Sequence, residues 1–185
     1  MSALRKLWAA AAASALLAAP LAGCGNSAGG KVATVQSGDM PSGAKWDGVY
    51  FSELYGYLHL KGTSHLKGKW ERPHKDRWGE IEGDVTGDLF KFTWTEHNRG
   101  LVGPNATKKG KGYFKYKRPA GDNVDDDIVG EIGTGEDEVG DPWEGKKQRN
   151  VPADPDSIIG AGARDVGGGD WDSDSKEKGK PEAPK

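Results

Sequence analysis

Residues 78–94 read "WGEIEGDVTGDLFKFTW", and the alternation within them decides the fold. Gly79, Ile81 and Gly83 fall on one face and Glu80, Glu82 and Asp84 on the other; beyond the central turn, Phe90, Phe92 and Trp94 alternate with Lys91 and Thr93. A period of two is the mark of half-buried strands, and two such runs joined by a short turn make a hairpin. A two-residue turn at Thr86 and Gly87 predicts Val85 opposite Asp88, Gly83 opposite Phe90, Ile81 opposite Phe92 and Gly79 opposite Trp94, with Glu82 meeting Lys91 on the outer face. A slip of one residue would carry three aromatic rings into water, so the pattern selects its own pairing.

The same habit recurs outward from this hairpin. In "HLKGKW" Leu66, Gly68 and Trp70 share a face, and in "KGYFKYK" Gly112, Phe114 and Tyr116 do. Glycines beside aromatics on an inward face suit strongly bent strands. The 185 residues include 29 Gly, 10 Pro, 7 Trp, 5 Tyr and 4 Phe, a mixture that favours short strands and turns over helices. Strands are predicted near 46–52, 55–61, 65–71, 78–86, 88–96, 111–117, 127–134 and 138–145. The expected fold class is all-β, an antiparallel up-and-down meander of about eight strands closing into a small barrel, with an open twisted sheet or a sandwich as the alternatives. A single cysteine allows no internal disulfide, so packing must hold the domain together. The pattern is similar in outline to avidin-like and lipocalin-like barrels, a likeness of pattern alone that implies no function; Trp70, Phe92, Trp94 and Phe114 are the candidate ligand-facing residues of the interior.

The β domain is expected over 44–148, with solvated flanks, as a mean hydropathy of -0.74 and 29% charged residues require. Residues 149–185 carry few apolar side chains and much Gly, Pro and charge, the composition of a disordered tail. Residues 24–43 comprise Cys24 and a Gly/Ser/Ala-rich stretch, expected to be a flexible linker spanning on the order of 25 Å. Ahead of it, Arg5 and Lys6 precede an apolar run from Leu7 to Leu21, which is shorter than the roughly 20 strongly apolar residues of a membrane span. Residues 1–23 therefore read as a secretory signal. "LAGC", Leu21 to Cys24, resembles the lipobox of bacterial lipoproteins. The resemblance implies cleavage between Gly23 and Cys24, acylation of the Cys24 thiol, and, with Gly25 and Asn26 following, an outer-membrane address in the cell envelope.

Charge is unevenly spread: Lys45 to Arg118 holds fifteen Lys and Arg against nine Asp and Glu, whereas Pro119 to Gly145 holds none against ten. Two solvated stretches that attract weakly account for this. Of the histidines, His59 and His65 are expected on the outer face of neighbouring strands and near one another across the 61–64 turn, but two imidazoles fall short of a zinc site. No metal or other cofactor is expected. "HNRGLVGPNATKKG", residues 97–110, reads as a long loop at one mouth, whose Arg99, Leu101 and Val102 form a candidate lid. "KKGKGYFKYKR", residues 108–118, interleaves basic and aromatic residues as single-strand nucleic-acid binders do, but strand alternation explains the spacing and no nucleic-acid partner is expected. "DWDSDS" (170–175) and "DNVDDD" (122–127) lack the remaining features of a calcium loop.

The sequence thus reads as a non-enzymatic envelope lipoprotein. Its expected partners are membrane lipid through acylated Cys24 and a small apolar ligand or an envelope protein, the oligomeric state being left open. The alternative is a cell-wall or lipid hydrolase using Glu80 or Glu96, since paired carboxylates serve such chemistry inside a cleft.

Overall fold

The computed structural model describes residues 29–158. Eight antiparallel strands form a closed barrel in meander order: β1 (Gly48–Ser52), β2 (Gly56–Gly62), β3 (His65–Glu71), β4 (Arg77–Thr86), β5 (Leu89–Asn98), β6 (Thr107–Lys117), β7 (Asp127–Thr134) and β8 (Asp141–Lys147). The barrel is chosen over the open sheet and the sandwich because β8 returns to β1, through Tyr50↔Lys147 and Phe51↔Lys146.

The interior is what the alternation predicts. Trp70, Phe90, Phe114 and Trp143 are fully or almost fully buried, with Phe92 and Trp94 close behind. Their rings pack on one another: Phe92 lies 4.8 Å from Phe114, Trp143 5.2 Å from Phe114 and 5.1 Å from Trp70, centroid to centroid. Aromatic pairs at such separations add about 0.5–1.5 kcal/mol beyond their burial. The indole N–H of Trp94 donates to Gly133 O at 3.0 Å. Gly79 shows why small residues face these rings: a Cβ there would stand 2.2 Å from Cζ2 of Trp70.

The hairpin of β4 and β5 turns one residue later than expected. Thr86 pairs with Leu89, Gly83 with Phe92 and Ile81 with Trp94, and Lys91 faces Asp84 instead of Glu82. The turn residues are Gly87 and Asp88; Gly87 has φ +56°, as the first central residue of the hairpin turns that lead with glycine needs. The partners shift by two, so every side chain keeps its predicted face. Strand β6 starts at Thr107, four residues before the predicted start, because Thr107 to Gly110 continue the ladder with β5, Lys108 opposite Glu96 and Lys109 opposite Thr95. The 97–110 loop accordingly shrinks to 99–106, with a 3₁₀ turn at Pro104–Ala106.

The flanks are also corrected. Residues 29–47 do not trail as a flexible linker but run along the outer wall. Lys31 N donates to Asp137 Oδ1 at 2.7 Å and its carbonyl accepts from Glu138 N at 2.7 Å; Ala33 packs with Leu89 and Tyr113; Gly38 and Asp88 exchange two hydrogen bonds, N to Oδ1 at 2.6 Å and the Asp88 N–H to Gly38 O at 3.0 Å. This strap ends in Trp46, which closes one mouth against Phe90 and Tyr116. At the other terminus the tail is docked as far as Ile158. Asp154 N donates to His59 Nδ1 at 3.0 Å, and Ile158 is buried. Cys24, the lipobox and residues 159–185 lie outside the described residues.

Candidate functional site

The loops 53–55, 72–76, 99–106 and 135–140 gather at one mouth of the barrel. Glu96 holds the inward place on β5 after Phe90, Phe92 and Trp94, and is only 4% exposed. A carboxylate so placed requires a cation. Arg72 supplies it, with Nε and Nη2 each 2.9 Å from Oε2, while Nη1 of Arg77 lies 3.6 Å from Oε1. The Arg72 guanidinium also sits 4.5 Å over the ring of Tyr55, which stacks on Trp143 at 4.1 Å. Burial raises the Tyr55 phenol above its ordinary pKa, against the opposing pull of Arg72.

Beside this pair, Arg99 donates to Glu71 Oε1 at 2.6 Å and to Lys75 O at 2.8 Å. Trp78 stacks on His97 at 4.3 Å. Around Glu96 the mouth sets Arg72, Lys75, Arg77 and Arg99 beside Glu71, Asp76 and Glu96, while its 53–55 and 135–140 loops add Glu53, Glu136, Asp137 and Glu138. Arg77 lies 3.5 Å from the Asp76 carboxylate and is the most exposed of the three guanidiniums, its side chain 38% exposed against 20% for Arg72 and 15% for Arg99. A guanidinium fork meets a carboxylate with two parallel hydrogen bonds.

The opposite mouth is closed in a related way. Tyr116 donates to Asp126 Oδ2 at 2.7 Å, and Arg118 grips both oxygens of Asp126 at 2.6 and 2.8 Å. The Arg118 guanidinium holds the Asp126 carboxyl below its usual range. Lys147 lies over Tyr50 and Tyr116 and donates to Lys45 O. Burial lowers the Lys147 pKa and raises that of Tyr50.

The residues singled out by sequence are distributed as follows. Trp70, Phe92, Trp94 and Phe114 do converge inside the barrel, but they face one another and serve as its packing. Glu80, Glu82 and Asp84 line a solvated outer face, tied to Lys69, Lys67 and His65. Glu96 is neutralised by arginines and not paired with a second carboxylate, so the arrangement a carboxylate-pair hydrolase needs is missing at both predicted positions. His59 and His65 do not meet: the first accepts from Asp154, and the second bridges Glu82 and Asp84 at 2.9 and 2.8 Å. Arg99 is pinned by Glu71 instead of forming a lid, whereas Leu101 and Val102 are exposed. Among the described residues no group of three or more His, Cys, Asp or Glu is placed to hold a metal ion. Sequence reasoning missed Glu71, Arg72 and Arg77. The available signal was the inward parity of Glu96, which calls for a cation at the adjoining loop.

Several plant glutamine synthetases resemble part of this chain. The cytosolic isozyme 1-3 of Arabidopsis thaliana is 38% identical over 77 residues, 40% of this chain and 21% of its own length. Glutamine synthetase PR-1 of Phaseolus vulgaris is 37% identical over 83 residues, 40% of this chain and 23% of its own. Root isozyme 5 of Zea mays is 37% identical over 86 residues, 42% and 24% respectively. The chain thus spans less than a quarter of the length of these relatives. No family model matches the chain, and no solved structure matches it.

These likenesses are to enzymes, one of them titled cytosolic, and they overturn the expectation of a non-enzymatic lipoprotein addressed to the outer membrane. The physical reason for the error is plain. An Ala- and Leu-rich run before a cysteine is a short local signal, and it carries no information about the domain that follows.

Proposed function

We propose that the chain is a module of a metabolic enzyme of the glutamine synthetase kind, and that the guanidinium-rich mouth around Arg77 is where it meets a carboxylate-bearing substrate or product. The observation that carries this is the 36–38% identity to five such enzymes over 77–86 residues. The filled interior supports placing the ligand at a mouth, since its aromatic rings occupy the space a ligand would need. Arg77 supports the choice of mouth, being the most exposed of its three guanidiniums and held only by the longer contacts, 3.6 Å to Glu96 and 3.5 Å to Asp76.

The test is an NMR titration of the full chain with L-glutamine and with L-glutamate. The indole N–H of Trp78 and the backbone amides of 76–78 should shift, and Arg77→Gln should abolish the shift while leaving the fold intact. Signals unmoved at millimolar ligand, or shifts that survive Arg77→Gln, would refute the assignment. A parallel assay of glutamine formation by the full chain asks whether the module turns over unaided.

A further inference from the structure

The wall of the barrel has one incomplete seam. Strand β1 pairs with β8 at only two positions, Tyr50↔Lys147 and Phe51↔Lys146, whereas β7 pairs with β8 from Asp127↔Lys146 through Ile132↔Asp141. Residues Asp141–Gly145 therefore have a neighbouring strand on one side and none on the other. The backbone direction follows from two hydrogen bonds. Lys147 N donates to Asp126 O on the β7 side, and Gln148 N donates to Val49 O on the β1 side, each at 2.8 Å. Successive residues alternate, so the N–H and C=O of Glu144 and the C=O of Pro142 face the open side.

The cause of the opening lies in the sequence. Continued by one more hydrogen-bonded pair, the β1–β8 register would set Glu53 directly opposite Glu144, and like charges so placed are destabilising. The chain instead turns at 53–55 into β2. Beside the gap is a groove of about 510 Å³, lined by Phe51, Leu54, Ile128, Val129, Pro142 and Gly145; its charged residues are Glu53, Glu144 and the pair Lys146–Asp127, 3.5 Å apart. Phe51 and Leu54 are exposed, and neither glutamate has an ion-pair partner among the described residues.

The geometry points to this seam as a docking edge for an extended segment of a partner protein whose side chains alternate between basic and apolar. Its backbone would pair with Glu144 and Pro142 as an added strand, the mode in which main-chain hydrogen bonds give affinity and alternate side chains give selectivity. Its apolar side chains would cover Phe51 and Leu54, and a lysine or arginine would sit between Glu53 and Glu144. The charge argument settles the occupant: β8 of a second copy would bring another Glu144 into the same acidic gap, and Pro142 would leave one bond of such a pair unmade.

The probe is a capped Lys-Val-Lys-Val-Lys-Val peptide, added to the ¹⁵N-labelled full chain. Amide shifts are expected at Glu53, Glu144 and Gly145. Affinity should fall by about fivefold or more with Glu144→Lys and with a peptide N-methylated at the residues facing β8, and a Glu-Val peptide of the same length should not bind. Equal binding by the N-methylated peptide would mean charge attraction alone and overturn the strand-pairing role. An unmoved β8, or a concentration-dependent dimer joined through β8, would overturn the choice of partner. The edge adjoins the mouth, Arg72 Nη1 donating to Leu54 O at 3.4 Å, so the variants tell the two readings apart: Arg77→Gln should leave peptide binding unchanged, and Glu144→Lys should leave the glutamine and glutamate shifts unchanged.

Discussion

Substituting Gly79 by alanine tests whether glycines are present to make room for rings. The added Cβ would lie 2.2–2.3 Å from Cζ2 and Cη2 of Trp70 and 2.7 Å from Thr95 O. Forcing one carbon into a packed core costs about 1–3 kcal/mol. Replacing glycine in a strand returns roughly 0.5–1 kcal/mol of that through reduced backbone entropy. A net loss of about 1–2 kcal/mol remains, a fall in Tm on the order of 5–10 °C for a domain of this size. Urea titration followed by near-ultraviolet circular dichroism, which reports the tryptophans, measures both. The colliding atoms belong to the six-membered ring of the indole, so Trp70→Phe should relieve part of the loss, and the double mutant should depart from additivity by on the order of 1 kcal/mol. Gly29→Ala, where a Cβ meets nothing within 4 Å, serves as the neutral control. A Gly79→Ala variant as stable as the parent, or strict additivity with Trp70→Phe, would refute the reasoning.

Arg72→Met should cost on the order of 3 kcal/mol, because it removes the principal partner of a buried carboxylate, and Arg72→Met with Glu96→Met together should recover much of it in a thermal melt. His65 bridges two carboxylates, Asp84 and Glu82, which raise its pKa above the ordinary 6.5. The bridge is therefore complete below pH 6.5 and is lost as pH rises through the raised folded-state value; Tm should fall across that window, and His65→Gln should flatten the profile. Asp88→Ala removes the acceptor of the Gly38 N–H and of Lys115 Nζ, 2.6 and 2.7 Å away. Hydrogen exchange should quicken at Gly38 while amides of β4 and β5 keep their protection.

The inner wall was legible in the sequence because strand alternation is local, and the one-residue error at the turn of β4 and β5, which shifts the pairing by two, did no damage to it. A shift of two leaves Gly79, Ile81 and Gly83 facing inward beside Phe92 and Trp94. What failed was whatever depends on residues far apart. The 29–47 strap has no periodicity of its own, since the Asp88, Asp137 and Glu138 carboxylates hold it in place of a strand ladder. Lys108 and Lys109 fell in the predicted loop because charge was visible and the neighbouring strands were not. The guanidinium mouth draws Arg72, Arg77, Glu96 and Arg99 from three strand ends and loops, and in the sequence only Glu96 and Arg99 hinted at it. A partial likeness to glutamine synthetases could not be read from any motif in the chain.

The two-pair junction of β1 and β8 also has a consequence for the order of folding. Every other strand meets its neighbour in sequence, so the hairpins from β1 to β8 can form locally, whereas Tyr50 and Lys147 can meet only after the whole ring has been ordered between them. Long-range closure is the slow step of such topologies. The latch is then Lys147, which reaches Lys45 O and the faces of Tyr50 and Tyr116 only in the shut ring. Until it engages, the intermediate is a curled ribbon with two bare margins, and this is the form in which the protein is most exposed to joining its neighbours.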